Sequence, residues 1–249
     1  MERWLGRVAV VTGASAGIGT AVVEDLVQSG MVVVALARRE DRLQEIKHRL
    51  QGKPGTLHPV KTDITKEDDL KKTFQWIRDK LGGVDVLVNN AGILIDGFTP
   101  EGNIDDWRKM YEVNVFALGA CSREAINSMK ERKVDDGHII NINSIASHRL
   151  PVIPGTIPYS SSKFASKAIT EGLRRELAAQ KSKIKVSSIS PGLVATEIFT
   201  ANNPTNTIDF SQKAHLLPKD IADAVHYVLA TPPNVQVNEL IVRPVGDGI

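Results

Sequence analysis

Residues 8–19 read VAVVTGASAGIG, a run of apolar, mostly β-branched residues that passes directly into a glycine-rich turn. The run predicts a buried strand, and the amphipathic segment behind the turn predicts a helix. Glycine lets the chain turn sharply at Gly13 and lets the helix pack closely on the strand at Gly19. A pyrophosphate could approach the backbone near Gly17 and Ile18, where unpaired helix amides attract an anion. The turn therefore predicts a dinucleotide site, although its spacing is G-x-x-x-G-x-G rather than G-x-G-x-x-G.

The next apolar run, MVVVALA, ends at Ala37 and is followed by Arg38 and Arg39. A site for NAD needs an acid at this strand end to bind the ribose 2′-hydroxyl, whereas a site for NADP needs a cation for the 2′-phosphate. A guanidinium group matches a phosphate dianion in shape and in charge. The two arginines therefore favour NADP as the cofactor. The alternative is that both are solvated charges at the start of a helix.

Short apolar runs alternate with amphipathic segments along the whole chain. Strands are predicted at 8–11, 32–36, 57–61, 84–88, 138–143, 184–190 and 239–242, and helices near 17–29, 40–51, 66–80, 104–130, 159–180 and 219–230. Several runs are apolar throughout, which fits parallel strands covered on both faces. The prediction is an α/β fold in one Rossmann-like domain over residues 1–249. A doubly wound parallel sheet of about seven strands would lie between two helical layers.

Two segments interrupt this alternation. HRLPVIPGTIP at 148–158 contains three prolines, and residues 196–217 show no regular period. The second segment is longer than an ordinary connection between a strand and a helix. We therefore predict a substrate lid within about 193–217, with a variable surface loop as the alternative.

The composition argues against several classes of protein. The formal net charge is only +2, which disfavours a nucleic-acid-binding protein. No stretch approaches the roughly 18 apolar residues of a membrane-spanning helix, and the charged start MERW does not resemble a signal peptide. Cys121 lies among apolar neighbours and is expected to be a buried structural thiol. No histidine has the spacing of a metal site. We expect a cytoplasmic protein with no metal.

Tyr159 and Lys163 stand four residues apart at the start of a predicted helix, so their side chains share one face. A nearby ammonium group lowers the pKa of a tyrosine toward neutrality, as an acid/base for a carbonyl–alcohol interconversion requires. The pattern Y-x-x-x-K alone is common and mostly structural. Here other polar residues are expected near Tyr159 and Lys163. Ser144 and Asn90 follow predicted strands, and Asn114 lies in the predicted helix after Asn90. These residues are expected to meet in one crevice at the carboxyl edge of the sheet.

Five motifs occur in order over essentially the whole chain. They are TGxxxGIG at 12–19, NNAG at 89–92, a serine after the fifth strand, YxxxK at 159–163 and Pro-Gly at 191–192. In this set the chain resembles the short-chain dehydrogenases/reductases of the short, single-domain type. The MERW start, ALARR at 35–39, YSSSK and the late run VQVNELIVRP resemble the insect farnesol-dehydrogenase-like, NADP-dependent branch of that family.

The resemblance implies a catalytic group of Asn114, Ser144, Tyr159 and Lys163. Tyr159 would exchange a proton with the substrate oxygen, and Ser144 would hydrogen-bond that oxygen. Lys163 would hold the nicotinamide ribose and keep Tyr159 acidic, and Asn114 would support Lys163 through a water. Ser144 lies fifteen residues before Tyr159, more than is usual in the family, so Ser147 is a rival. We favour Ser144 because the strand register places it at the sheet edge.

The resemblance also implies a set of cofactor-binding residues that runs from the adenine to the nicotinamide. They are Gly13, Ser15, Gly17, Ile18, Gly19, Arg38, Arg39, Asp63, Ile64, Asn90, Gly92, Tyr159, Lys163, Pro191, Gly192, Val194 and Thr196. Asp63 would contact the adenine, and Thr196 would contact the carboxamide. Ala16 stands where NADP users of the family often carry a cation. Arg38 would therefore carry most of the phosphate recognition, with Arg39 or Ser15 assisting.

The function that the resemblance implies is NADP-dependent interconversion of a lipophilic alcohol, farnesol-like or steroid-like, and its aldehyde or ketone. Apolar residues would contact this substrate, namely Leu94, Ile95, Val152, Ile153 and Ile198–Phe199. The alternative is a catalytically silent NADP-binding regulatory protein, which the complete catalytic group disfavours. The family commonly forms homodimers and homotetramers through the helices that would carry Asn114 and Tyr159.

Overall fold

Seven parallel strands form one sheet in a computed structural model, which describes residues 1–150, 155–201 and 208–247. Across the sheet the strands follow the order β3-β2-β1-β4-β5-β6-β7. Their bounds are β1 Val8–Thr12, β2 Val32–Ala37, β3 Thr56–Lys61, β4 Val86–Asn89, β5 His138–Ile142, β6 Lys185–Pro191 and β7 Glu239–Val242. The predicted doubly wound parallel sheet is confirmed. The largest difference is in β4, which begins at Val86 rather than at residue 84.

Helices cover both faces of this sheet. Their bounds are α1 Gly17–Gln28, α2 Glu40–Arg49, α3 Glu67–Leu81, α4 Ile104–Tyr111, α5 Leu118–Glu131, α6 Ile157–Ala179 and α7 Pro218–Ala230. One apolar core joins the sheet to α1, α2 and α7, and a second core joins it to α3, α5 and α6. Strands β1, β4, β5 and β6 are buried along their whole length. Burial on both faces explains why their sequences do not alternate between apolar and polar residues.

The helix predicted over 104–130 is divided in the structure. A π-helical turn, Glu112–Ala117, separates α4 from α5, and such a turn accommodates one extra residue. Tertiary hydrogen bonds hold it at Asn114, whose Oδ1 accepts from the Ile93 amide at 2.9 Å and whose main-chain oxygen accepts from Ser166 Oγ at 2.8 Å. These partners lie 21 and 52 positions away along the chain. Helical periodicity alone therefore could not predict the interruption.

The strand order reverses between β1 and β4, which are neighbours in the sheet. From β1 the chain proceeds outward to β2 and β3, and from β4 it proceeds the other way to β5, β6 and β7. Connections that leave in opposite directions open a crevice at the carboxyl ends of the central strands, where doubly wound folds bind ligands. The loops after β1, β4, β5 and β6 all begin at this edge.

Membrane-spanning helices and metal-binding groups of side chains are both absent from the residues that the structure describes. There, none of the helices combines the length and the apolar character that crossing a membrane requires. Within the same residues, no three or more histidine, cysteine, aspartate or glutamate side chains gather in a group that could hold a metal ion. Cys121 is fully buried, and burial raises the pKa of its thiol to about 12, which keeps the thiol protonated.

Candidate active site

The turn between β1 and α1 needs glycine at two positions, because φ is +64° at Gly13 and +55° at Gly17. A Cβ on Gly13 would lie 2.7 Å from the Ala91 Cα, and a Cβ on Gly17 would lie 3.0 Å from the Thr196 Cγ2. Ala16, which precedes α1, offers no side-chain oxygen to cap the helix. The first amides of α1 therefore remain available to an anion. A close backbone and free amides fit the pyrophosphate of a dinucleotide.

Asn90, which directly follows β4, braces this turn. Its Nδ2 donates to the main-chain oxygen of Thr12 at 2.9 Å and to that of Gly13 at 3.2 Å. In return, the Thr12 hydroxyl oxygen accepts from the main-chain amides of Asn90 and Ala91, both at 3.0 Å. A Cβ on Gly19 would approach Asn90 Nδ2 to 2.5 Å. Asn90 thus lies at the carboxyl edge of the sheet with its side chain bonded to the turn itself, and its predicted contact with the cofactor stays a prediction.

The two arginines after β2 lie at the same edge of the sheet. Arg38 is exposed and makes no hydrogen bond or ion pair with any residue of the described ranges. Arg39 donates from Nε to Ser15 Oγ and from Nη1 to Glu197 Oε2, each at 3.1 Å. Arg42 donates to both carboxylate oxygens of Glu197, at 2.9 and 2.7 Å. Arg42 and Glu197 were not predicted, because a contact 155 positions apart leaves no local sequence signal.

The other predicted cofactor residues continue along this edge. After β3, Asp63 Oδ1 accepts hydrogen bonds from the main-chain amide and the hydroxyl of Thr65. After β4, a Cβ on Gly92 would lie 3.4 Å from Asn114 Oδ1 and 3.6 Å from Lys163 Nζ. The remaining positions are Ile64 beside Asp63, Ile18 within α1, and Pro191, Gly192, Val194 and Thr196 at and beyond the end of β6.

Ser144, Tyr159 and Lys163 meet beyond the carboxyl end of β5. The side chains of Ser144 and Tyr159 share a hydrogen bond. Lys163, one turn along α6, is buried and donates from Nζ to the Ile142 main-chain oxygen at 3.2 Å. Its Nζ lies 5.7 Å from the centroid of the Tyr159 ring. A phenol, a hydroxyl and an ammonium in this arrangement can exchange a proton with a bound oxygen and stabilise its charge.

Burial shifts the pKa values of both ionisable groups. It raises the pKa of Tyr159 to about 12, and the hydrogen bond with Ser144 opposes this rise. It lowers the pKa of Lys163 to about 8. The expectation that Lys163 brings the tyrosine pKa down toward neutrality is therefore wrong for the protein alone. Loss of solvation dominates, because the ammonium group bonds a main-chain oxygen rather than the phenol.

The structure distinguishes between the two candidate serines. Ser144 is partly exposed at the crevice, and its Oγ accepts from the Ala146 amide at 3.1 Å while remaining bonded to Tyr159. Ser147 is completely buried, and its hydroxyl is bonded to the main chain. The geometry thus brings Ser144, and not Ser147, into contact with Tyr159.

Asn114 is buried between the segment after β4 and the first turn of α6. Its Nδ2 donates to the Ile93 main-chain oxygen and to Ser162 Oγ, both at 3.0 Å. Ser162 Oγ donates in turn to the main-chain oxygen of Tyr159 at 2.7 Å. Asn114 therefore holds the first turn of α6 in place. Its predicted support of Lys163 through a water stays a prediction.

A second polar cluster, which was not predicted, lies beside the catalytic group. His148 binds Glu239 through Nε2 at 2.6 Å and Lys167 through Nδ1 at 2.9 Å. Ser190 Oγ donates to the same Glu239 oxygen at 3.0 Å. Since Lys167 can only donate, Nδ1 of His148 accepts and Nε2 carries the proton that it donates to Glu239. The cluster ties the turn after Ser144 to α6, β6 and β7.

The predicted substrate contacts are only partly described. Leu94 and Ile95 follow β4, and Ile198 and Phe199 lie in a short 3₁₀-helix, Glu197–Phe199, in the predicted lid. Val152, Ile153 and residues 202–207 of the lid lie outside the described residues. A cavity of about 230 Å³ reaches Pro158, next to Tyr159. Its lining includes apolar residues, namely Ile95, Phe98, Trp107, Met110 and Pro158, and polar residues, namely Asp96, Glu101, Asn103 and Asp106.

Comparison with known proteins agrees with this geometry. The family model for short chain dehydrogenases matches residues 7–207. The chain is 50% identical to farnesol dehydrogenase of Aedes aegypti over 250 residues, which cover 99% of each protein. It is 44% identical to human dehydrogenase/reductase SDR family member 11, with 98% of this chain and 96% of that protein covered.

The fold is also similar to those of solved dehydrogenase structures. An alcohol dehydrogenase from the archaeon Thermococcus sibiricus, complexed with 5-hydroxy-NADP, superposes with a TM-score of 0.85 at 30% identity. The match covers 96% of this chain and 97% of that one. A serine dehydrogenase complexed with NADP⁺ also gives a TM-score of 0.85 at 30% identity, over 94% of this chain and 93% of that one. On sequence, fold and site geometry together, the chain belongs to the short-chain dehydrogenase/reductase family and is an oxidoreductase of alcohols and carbonyl compounds.

Proposed function

We propose that the chain is an NADP-dependent oxidoreductase that interconverts a lipophilic alcohol and its aldehyde or ketone, with Tyr159 as the general acid/base. The observation that carries the proposal is the hydrogen bond between Tyr159 and Ser144 beside the buried Lys163. This group opens on the crevice that also contains the glycine-rich turn. A pure cofactor-binding protein has no need of a proton-transfer group at that place.

In carbonyl reduction, Tyr159 would give its phenolic proton to the substrate oxygen while Ser144 donates a hydrogen bond to the same oxygen. In alcohol oxidation, Tyr159 would take the hydroxyl proton. The bound nicotinamide would supply or accept the hydride. Lys163 would stabilise the phenolate by its charge and bind ribose hydroxyls with the ammonium protons that Ile142 does not take. Asn114 would keep the first turn of α6 in position.

NADP is proposed over NAD because the end of β2 has cations and no acid. Arg38 is exposed and unpaired within the described residues, and Arg39 is already bonded to Ser15 of the glycine-rich turn. A 2′-phosphate near Ser15 would therefore meet two guanidinium groups. Asp63, Asn90 and the residues beyond β6 would contact the rest of the cofactor.

A lipophilic substrate is proposed because large apolar side chains lie beside the catalytic group, together with the polar residues of the same cavity. Leu94 is buried, and the cavity beside Pro158 has an aromatic and aliphatic wall formed by Phe98, Trp107 and Met110. The names of two relatives, farnesol dehydrogenase and alcohol dehydrogenase, support an alcohol as one member of the substrate pair. An isoprenoid alcohol such as farnesol, or a steroid-like alcohol, is the proposed class.

We further propose that the chain acts in the cytoplasm as a homodimer or homotetramer. Two aromatic side chains support the assembly, since Phe116 is 62% exposed beside Asn114 and Phe164 is 42% exposed beside Lys163. Large exposed aromatic residues on adjacent helices are typical of protein–protein contacts. Sedimentation of the wild-type chain and of a Phe116→Ser/Phe164→Ser variant tests this, and a monomeric wild type would contradict it.

The central experiment compares the wild type with Tyr159→Phe. The wild type is expected to bind NADP and to turn over farnesol or another member of a lipophilic alcohol and carbonyl panel. Tyr159→Phe should keep the same Kd for NADP and lose most turnover, because the ring remains and only the hydroxyl group that exchanges the proton is removed. Full turnover by Tyr159→Phe contradicts the mechanism. Tight NADP binding by the wild type without turnover across the panel would favour the silent regulatory protein instead.

A further inference from the structure

One carboxylate stands among the cations of the proposed phosphate site. Glu197, just beyond Thr196, pairs with Arg39 at 3.1 Å and with Arg42 at 2.7 Å. The hydrogen bond from Arg42 and that from Arg39 lower the pKa of the Glu197 carboxyl, although burial opposes them. Glu197 is therefore ionised at neutral pH, and it is an anion that already pairs with Arg39, one of the two guanidinium groups proposed to bind a 2′-phosphate.

The backbone on either side fixes the position of Glu197. Thr196 packs against the glycine-rich turn, since a Cβ on Gly17 would lie 3.0 Å from the Thr196 methyl carbon. Val194 pairs with Leu216 in a parallel bridge. The segment after β6 thus crosses the crevice next to the turn. Glu197 reaches α2 from this segment and lies near Ser15, because Arg39 contacts both residues.

We infer that Glu197 is a specificity-determining residue that weakens the preference for the 2′-phosphate of NADP, and thereby keeps NAD binding competitive. The inference rests on the proposed nicotinamide-dependent function and concerns the residue that sets its cofactor selectivity. NADP must share Arg39 with the Glu197 carboxylate or displace that carboxylate. NAD carries no charge at the 2′ position and does not compete with Glu197 for Arg39, and any repulsion of the pyrophosphate by Glu197 is common to NAD and NADP.

Electrostatics fixes the sign of the effect. The Glu197 carboxylate lowers the net positive charge of the site by one unit, and this charge lies near the 2′-phosphate dianion that only NADP carries. The side chains of Arg39 and Glu197 are 44% and 51% exposed, so solvent screens the interaction and the effect is modest. Any closure of the segment over the pyrophosphate acts on NADP and NAD alike. The ratio of the two affinities therefore isolates the role of the carboxylate.

The test measures Kd values for NADP, NAD, 2′,5′-ADP and 5′-AMP by titration calorimetry, with the wild type, Glu197→Gln and the control Glu176→Gln. Glu176 is exposed on α6, and its substitution changes the net charge equally. Glu197→Gln is expected to bind NADP and 2′,5′-ADP about three- to ten-fold more tightly. Its Kd values for NAD and 5′-AMP should stay within about two-fold. The gain should shrink as the salt concentration rises.

Three outcomes overturn the inference. If Glu197→Gln changes the Kd values of NADP and NAD by the same factor, or weakens NADP alone, Glu197 serves closure or orients Arg39 and does not oppose the phosphate. If Glu176→Gln gains the same affinity for NADP, the change in net charge alone explains the result, and the position of Glu197 has no specific role. In each of these cases the proposed function stands if the wild type still binds NADP and turns over its substrate. A wild type that binds neither dinucleotide overturns the proposed function and this inference together.

Discussion

Ser147 Oγ donates a hydrogen bond to the main-chain oxygen of Ser144 at 2.7 Å. The two serines therefore belong to one turn, in which Ser147 bonds the backbone and Ser144 meets Tyr159 through its side chain. This division of roles follows from the short 3₁₀-helix Ile145–Ser147, which begins directly after Ser144. It gives the two hydroxyl groups different expected contributions to activity and to stability.

Removal of the Ser144 hydroxyl should therefore affect mainly kcat, whereas removal of the Ser147 hydroxyl should affect mainly the free energy of unfolding. Ser144→Ala is expected to lower kcat by about 10²- to 10³-fold, because a donor to the reacting oxygen is lost. Ser147→Ala should keep kcat within a few-fold and lower the free energy of unfolding by about 1 kcal/mol, because one of the two hydrogen bonds to the Ser144 main-chain oxygen is lost and the one from the Ser147 amide remains. Steady-state kinetics and urea unfolding of both variants check this. The reverse assignment of kcat losses would make Ser147 the catalytic serine.

Lys163 is expected to lower the free energy of unfolding at neutral pH. Its pKa is about 8 in the folded protein and 10.5 in a solvated chain, so the unfolded state binds more protons between these values. Stability therefore rises with pH from about 8 to about 10.5 as far as this group is concerned. Lys163→Met is expected to be more stable than the wild type below pH 8, by at most about 3 kcal/mol, and to lose activity.

The difference in the free energy of unfolding between Lys163→Met and the wild type should become smaller as the pH rises from about 8 to about 10.5. Urea unfolding at several pH values from 7 to 10 measures it. Lys72→Met, at an exposed position on α3, is the matched control and should show no such trend. A wild type that is more stable than Lys163→Met at pH 7 would show that other interactions of the ammonium group outweigh its desolvation.

Two glycine-to-alanine substitutions should separate a strained glycine from an ordinary one. Gly13 has a φ of +64°, and its Cβ would lie 2.7 Å from main-chain Ala91, so Gly13→Ala must displace the turn. We expect a loss of at least about 1–2 kcal/mol in the free energy of unfolding and a Kd for NADP raised more than about ten-fold. Gly172, within α6, has nothing within 4 Å of its Cβ position. Gly172→Ala should gain about 0.5–1 kcal/mol, and calorimetry of both variants decides.

His148 should act on catalysis through the position of Ser144. Its ring anchors the far end of the turn that starts at Ser144, between Glu239 and Lys167. His148→Ala is expected to lower kcat about ten-fold, because small displacements of a reacting group are costly, while the Kd for NADP stays the same. His148→Gln, which keeps a donor and an acceptor, should restore part of kcat. A uniform change in kcat, KM and cofactor affinity would indicate general loosening instead.

The sequence was sufficient wherever the signal is local. The strands of the sheet follow from short β-branched runs, and the pairing of Tyr159 with Lys163 follows from helical spacing. The position of Ser144 at the edge also follows from strand register. The bonds that hold Asn114, Glu197 and His148 were not foreseen, since their partners come from distant segments. The pKa of Tyr159 was misjudged because the extent of its burial depends on the assembled site.

The π-helical turn at Glu112–Ala117 also sets the angular phase between α4 and α5. One residue of an α-helix occupies about 100°, so an uninterrupted α-helix over the same residues would rotate the buried face of α5, with Cys121 and Met129, away from the sheet. Replacing Asn114 removes the side chain that holds the extra residue in place. A lower kcat in an Asn114 variant would thus report the angular setting of a whole helix together with the proton-transfer group.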